Sequence, residues 1–422
     1  AATGAAVLTG GEVQVLPEAG EYDRRTNYTI LTAEGGVTGR FDSVSSNYAY
    51  LTPTLSYGAK EVGLQLDRND QAFGDVALTL NASAAATAVE QLGYGNPVYD
   101  AVLFATEEQA LAGFDMLSGE VHASIQSALI EDSRHVRNAM GERLTRSVGD
   151  PGLAVWTNAF GSWGKQDSSA GVASMDRDTL GILAGIDTAV GTQGRLGILG
   201  GHSTADLKSA RGSADVKSYH LGVYGGFRFG ALGLQVGVAR SWHDINTGRA
   251  VAFNGFSDDP QASYDAATTQ VYGEASYAIP VGAGSVEPFG NLAYVKLSTE
   301  EFDENGGPAA LSAARAKSDV TFSTLGLRVA TAKLQGQRGI ALRGSAGWRH
   351  ALNDRLPTAE LAFAGSSPFT VVGTPLSKDA AVLDAGVDAA LSSRLVISLG
   401  YSGQIGGNGS DHGVRAGVNF GF

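Results

Sequence analysis

Tyr219-His220-Leu221-Gly222-Val223-Tyr224-Gly225-Gly226-Phe227-Arg228-Phe229, followed after Gly230-Ala231 by Leu232-Gly233-Leu234-Gln235-Val236-Gly237-Val238, is the stretch whose period decides the fold. Successive side chains of a strand point to opposite faces. Tyr219, Leu221, Val223, Phe227 and Phe229 therefore share one face, against Ser218, His220, Gly222 and Arg228. Leu232, Leu234, Val236 and Val238 repeat the pattern after a two-residue turn.

The same alternation runs outward in both directions. Leu180, Ile182, Ala184 and Ile186 share a face. Ile340, Leu342, Ala346 and Trp348 oppose Arg343, Ser345 and Arg349. Leu383, Ala385, Val387 and Leu391 oppose Asp384 and Asp388, and Leu395, Ile397, Leu399 and Tyr401 oppose Ser398 and Ser402. The last segment sets Val414, Ala416, Val418, Phe420 and Phe422 against Arg415 and Asn419. Twelve such segments start near residues 152, 176, 194, 215, 231, 265, 285, 318, 339, 379, 394 and 411.

A soluble sandwich alternates too, so connection lengths must decide. Those around 191–194, 230–231, 280–285, 334–338 and 392–393 are short. Those around 166–175, 247–264, 300–317 and 353–378 are long, with 210–214 and 406–410 as shorter exceptions. Short turns on one rim and long loops on the other mark a membrane barrel with an even strand number. Arginines and carboxylates in mid-strand suit a wet lumen. Lipid cannot satisfy a free backbone edge, so the sheet must close. Trp156, Trp163, Trp242, Trp348 and Phe422, near segment ends, are candidates for interfacial girdles.

Two regions precede the barrel at 151–422. Residues 1–68 read as strands and turns: Tyr28-Thr29-Ile30-Leu31, then the Gly35-Gly36 turn, Phe41, Tyr50 to Tyr57, and Val62 to Leu66. Residues 69–150 change period. Ala82 to Gln91 suggests a short helix, Asn96-Pro97 a second helix start, and Thr106-Glu107-Glu108-Gln109 a capping box. Leu111, Phe114, Leu117, Val121, Ile125, Leu129, Val136, Met140 and Leu144 then recur at three- and four-residue steps. The spacing predicts a helix over about 106–146, roughly 60 Å long at 1.5 Å per residue, with Ser118-Gly119 as the point where it could break.

Composition bounds the rest. With 422 residues, 17 % charged, 58 glycines, no cysteine and a net charge of −13, nothing would neutralise phosphates, and nucleic acid is excluded as a partner. No apolar run is long enough for a transmembrane helix. Ala1 to Gly11 lacks the features of a signal peptide, so the chain is expected to be a mature form or part of a longer one.

In this order the segments resemble the type V autotransporter family. Tyr28-Thr29-Ile30-Leu31-Thr32-Ala33 with Gly35 to Gly39 and Phe41-Asp42, continued by Leu51 to Leu55, Tyr57 and Val62 to Leu66, is similar to the end of a β-helical passenger, the autochaperone region. Leu117-Ser118-Gly119-Glu120 with His122-Ala123-Ser124 resembles the family's linker-helix motif. Phe363-Ala364-Gly365 to Phe369 with Val371 and Gly373, and Gly417 to Phe422, resemble its barrel motifs. The resemblance implies an all-β outer-membrane protein: a 12-stranded antiparallel barrel, a helix through the pore and a short β-helix-like N-terminal segment. It implies export of an N-terminal passenger to the cell surface. It also implies a barrel-assembly machinery, periplasmic chaperones and lipid as partners, and Phe420 and Phe422 as the assembly signal.

The expected helix carries Arg134, His135, Arg137, Arg143 and Arg146. The inward wall carries Asp187, Glu274, Asp384 and Asp388. Opposite charges in a confined lumen should hold the helix in register as a plug, at under about 1 kcal/mol for each wet pair. Some autotransporters cut their pore helix by asparagine cyclisation, for which Asn138-Ala139 is the candidate here.

Otherwise no enzyme and no cofactor is expected. The seven histidines form no metal-spaced helical pair, and no nucleophile elbow is present. His202 and Ser203 should face opposite sides of a strand. Gly225-Gly226 reads as small inward-facing strand positions. The alternative is a porin-like channel or adhesin whose barrel and loops are the functional unit. A simple porin has no use for the preceding helix.

Overall fold

The computed structural model describes residues 1–16, 26–331 and 339–422. The short connection expected around 334–338 lies outside these residues.

Twelve long strands form the barrel among the described residues: β1 (Leu153–Gln166), β2 (Met175–Val190), β3 (Gly194–Ser209), β4 (Gly212–Phe229), β5 (Leu232–Gly248), β6 (Gln261–Tyr277), β7 (Gly284–Thr299), β8 (Ala316–Thr331), β9 (Gly339–Ala351), β10 (Asp379–Ala390), β11 (Leu395–Gly406) and β12 (Gly409–Gly421). Each pairs antiparallel with its sequence neighbours. β12 also pairs with β1, from Gly409 opposite Gln166 to Gly421 opposite Ala154, which closes the cylinder. The observed starts lie within four residues of those read from the alternation.

Closure sorts the two faces as the period demands. Leu180, Ile182, Tyr219, Leu221, Val223, Val236, Leu325, Ile340, Leu399 and Val414 stand exposed on the outside. Trp163, Trp242 and Trp348 are exposed near the long-loop rim, and Phe227, Phe229, Tyr277, Phe420 and Phe422 near the short-turn rim. The outward residues Asp178, Asp206, Lys208, Lys217 and Asp244 lie towards the long-loop ends of β2 to β5, and Arg240, in the middle of β5, lies against the ring of Trp242. Trp156 corrects the girdle reading. It occupies an inward position, is only 4 % exposed, and donates from Nε1 to the Tyr224 hydroxyl at 2.6 Å.

Four α-helices precede the barrel among the described residues: α1 (Leu80–Leu92), α2 (Pro97–Leu103), α3 (Glu107–Leu117) and α4 (Val121–Ser147). Thr79, Asn96 and Thr106 cap the first three through their side-chain oxygens, and Gln109 completes the capping box of α3. The long helix read over 106–146 is therefore two helices. Its break falls at Ser118–Glu120, where Gly119 takes φ +66°. The Cβ of any larger residue there would press on Leu311 and Leu361.

The two pieces go to different places. α4 lies inside the barrel, and α1 to α3 lie outside its long-loop rim. There they share a core with the barrel loops, in which Phe73, Phe114 and Leu117 meet Phe253, Leu311, Leu361, Phe363 and Val371. The loop contribution is a hairpin, Val251–Phe253 with Phe256–Asp258, and a four-stranded sheet of 302–303, 311–313, 358–363 and 369–372. Together they form a cap over the mouth.

The N-terminal strands pair in parallel at a constant offset. Ala6 pairs with Val37, Glu12 with Ser43 and Ala2 with Ala33, each 31 positions on. An antiparallel sheet of Thr26–Thr32, Glu61–Arg68 and Leu51–Tyr57 follows. No described helix is long and apolar enough to cross a membrane; the strands make the crossing.

Candidate functional site: the lumen and its helix

The lumen is occupied by α4, and its chemistry is a ladder of ion pairs between that helix and the wall. At the long-loop mouth, Glu304 is fully buried and accepts from Arg249 Nε at 2.7 Å, from Arg249 Nη2, and from the Leu311 amide at 2.8 Å. The His122 ring of α4 lies 2.8 Å from the same carboxylate. Burial alone would raise the Glu304 carboxyl; Arg249 and His122 outweigh it and hold it at about 2. Beside it, Glu120 accepts from Asn81, the Ala173 amide and Arg211, tying the helix break to α1 and to two barrel loops.

In the middle tier, Arg349 of β9 grips Glu131 through two bonds of 2.8 Å. Arg134 pairs with Asp411, which Arg177 also contacts at 2.7 Å. His135 lies 3.7 Å from Asp132 and 3.2 Å from the Ser162 hydroxyl, stacked on Phe160. Arg137 donates to Gln270 at 2.8 Å.

In the lowest tier, Arg143 holds Asp187 through Nε at 2.6 Å and Nη2 at 2.7 Å. Arg195 and the Tyr224 hydroxyl complete that fully buried carboxylate. Arg146 reaches Glu142 at 2.6 Å and Asp388 at 3.6 Å.

The structure thus joins only some of the residues paired in the sequence reading. Arg143 meets Asp187 directly. Asp388 is held chiefly by Arg343 of the wall, with Arg146 as the nearer helix cation. Glu274 pairs with Arg328 and Asp384 with Arg415, both contacts within the wall. Arg415 in turn reaches Glu142 of the helix at 3.0 Å, the reverse of the expected polarity. The energetic expectation also changes. Arg143, Asp187, Glu131 and Arg349 have side chains no more than 7 % exposed. The rule for solvent-exposed pairs does not apply to them, and breaking such a pair is costly.

Reading the sequence for helix cations alone missed the helix acids Glu131, Asp132 and Glu142, and their wall arginines. Arg343, Arg349 and Arg415 on the polar faces of β9 and β12 were the available signal.

Asn138 is exposed on α4 and borders a chamber of about 850 Å³ that also meets Glu142 one turn on. Ala139 lines the same chamber but is itself buried. Ser203 points into the lumen, and His202 lies on the outer face against Tyr219. Phe420 and Phe422 continue the outward parity of Val414 and Val418 in and just beyond β12, and the Phe422 amide donates to the Leu153 carbonyl across the closing seam. No group of three or more His, Asp or Glu among the described residues is placed to hold a metal ion.

Comparison with known proteins agrees with this geometry. The autotransporter β-domain family matches residues 155–402. Two proteins of Serratia marcescens, each named extracellular serine protease, are 34 % and 33 % identical over 99 % and 94 % of the chain. The chain spans 46 % and 43 % of their lengths. The translocator domain of autotransporter NalP from Neisseria meningitidis shares the fold, with a TM-score of 0.58 at 17 % identity over 71 % of this chain and 99 % of that one. A closed twelve-stranded barrel with a helix in its lumen, matched by the family over most of the barrel, leaves one assignment: the chain belongs to the autotransporter family, and its barrel is the translocator that sits in the Gram-negative outer membrane and delivers a passenger to the cell surface.

Proposed function

We propose that the exported part of this protein is a serine protease, that residues 1–68 are the autochaperone-like end of that passenger, and that residues 69–150 link it to the barrel. Support for the protease comes from the printed names of the two relatives that match nearly the whole chain. The barrel itself is a conduit and not an enzyme in this reading. One observation carries the mechanism: α4 enters at the long-loop rim and ends at the short-turn rim, where β1 begins. A lumen that admits one helix cannot pass a folded domain, so export precedes folding. α4 then stays behind as the plug.

The barrel-assembly machinery and periplasmic chaperones are the proposed assembly partners, with Phe420 and Phe422 as their signal. Two deletions in the full-length protein test the reading. Removing residues 20–68 should leave the passenger exported but slow to fold, read as protease sensitivity at the cell surface. Removing residues 110–146 should convert the barrel into an open channel in planar bilayers. Unimpaired passenger folding in the first case, or unchanged conductance in the second, rejects the corresponding part. A Phe422→Ser chain should insert less well; equal yields of folded barrel would reject the signal role.

A further inference from the structure

Resting on the reading of α4 as the plug, we infer that the ion-tight seal lies in the outer half of the lumen, at a dry collar around Val121–Ile130, and that the inner half is a water-filled vestibule open only to the periplasm.

Burial divides α4 in two. Every residue from Val121 to Glu131 is buried, whereas Asn138 is exposed and Gly141, Glu142, Thr145 and Arg146 are partly so. The buried half passes through an apolar ring drawn from eight consecutive strands, β2 to β9. Leu207, Ile245, Tyr264, Leu297 and Phe322 are among its members, against Val121, Ile125 and Leu129 of the helix. The remaining arc is filled by Gly373–Ser377, the end of the long loop before β10, which turns inward.

Thr374 is wholly buried. Its amide donates to Ser124 Oγ at 3.0 Å, its carbonyl accepts from Ser127, and its hydroxyl donates to Gln166 of β1 at 3.2 Å. A Cβ on Gly373 would lie 2.4 Å from the Ala123 carbonyl carbon, so the loop touches the helix backbone itself. Gln126 bonds to the Thr358 carbonyl and to Ser318. The polar side chains Ser124, Gln126 and Ser127 of this tier are thus satisfied by protein.

The inner half contrasts at each point. Its chamber of about 850 Å³ reaches Gly282–Ser285 and Thr331 at the short-turn rim. Buried polar atoms without a protein partner among the described residues include Tyr272 Oη, Gln235 Oε1, Arg343 Nε and Arg415 Nε, all bordering this half. Polar groups so placed call for water. An ion can follow water into the vestibule, and it meets no ligand in the collar to replace its hydration shell. The seal is therefore short, about 15 Å of helix at 1.5 Å per residue.

The chain contains no cysteine, which permits a direct test on these 422 residues in proteoliposomes. The probe is 2-sulfonatoethyl methanethiosulfonate, added outside or trapped inside, with cap orientation read from trypsin cleavage. The Asn138→Cys chain should react completely from the short-turn side and not from the cap side. The Ala128→Cys chain should react from neither side until it is unfolded in urea. Reaction of folded Ala128→Cys, or reaction of Asn138→Cys from the cap side, overturns the assignment.

Conductance separates the inference from the reading beneath it. The chain lacking 110–146 sets the open level. Ile125→Ser with Leu129→Ser should move the closed barrel towards that level, and Gly141→Ala should not. If the deletion fails to conduct, the plug reading falls. If it conducts while Gly141→Ala leaks as much as the collar variants, the seal is misplaced and the plug survives.

Discussion

At the scale of single residues, the carboxylates that hold α4 are those with the least access to water. Asp187 is fully buried between Arg143 and Arg195 and also accepts from Tyr224. Asp187→Asn keeps the shape and removes the charge, leaving two buried guanidinium groups without their anion. The expected loss is about 3–5 kcal/mol, read as a lower temperature for conversion of the folded to the unfolded band on semi-native gels. A change within error would show that the helix is held by packing alone.

Glu304 gives a pH dependence. Its folded value of about 2 lies below the usual carboxylate range, so its stabilisation is complete above about pH 4.3 and is lost as the pH falls through about 2. On the order of 3 kcal/mol is involved. The Glu304 contribution to the proteolytic resistance of the cap should fall away below about pH 4, beneath any earlier loss from the buried His122 ring, whose burial holds it below the usual histidine range. Glu304→Gln should be weaker at neutral pH and flatter below it; an unchanged profile would remove Glu304 from the cap's stability.

At the scale of elements, α4 comes close to the wall at two glycines of β4. Met140 and Leu144 sit one turn apart on α4 and meet Gly222 and Gly226, four apart on β4. A Cβ on Gly222 would lie 3.2 Å from Met140 Sδ, and one on Gly226 would lie 3.2 Å from Leu144 and 3.0 Å from Val148. Gly225 differs from its neighbour. Its Cβ would meet only the tip of outward-facing Leu196 within 3 Å, so the pair Gly225-Gly226 does not face inward together. Gly226→Leu should push the helix end from the wall at a cost of about 1–3 kcal/mol, and Gly225→Ala should be nearly silent. Equal effects in thermal unfolding would contradict the facing.

Strand period, turn spacing, helix caps and the break at Gly119 were legible because each is set by neighbours in the chain. The partners of Arg134, Glu274 and Asp384 were not. They depend on which strands the helix leans against, and that is settled by small inward residues such as Gly222 and Gly226 that carry no signal of their own. Trp156 was misread for a related reason: its place near a strand end was visible, but its parity relative to Trp163 decides the face. The two are seven apart and so lie on opposite sides.

At the scale of the whole molecule, the cap joins segments that start on opposite sides of the membrane problem. Its core takes Tyr48, Tyr50, Leu51 and Leu66 and α1 to α3 from the chain before the barrel, and Phe253, Leu311 and Phe363 from barrel loops. In the proposed export order that core cannot assemble until these segments have reached the loop side, so its burial of apolar surface becomes available only at the end of passage.

The fixed offset of 31 positions between the parallel N-terminal strands has a mechanical meaning. One circuit of that winding consumes on the order of 100 Å of extended polypeptide, while neighbouring strands are stacked only about 4.8 Å apart. Winding up outside the cell therefore reels in far more slack than it adds in height, as thread does on a bobbin.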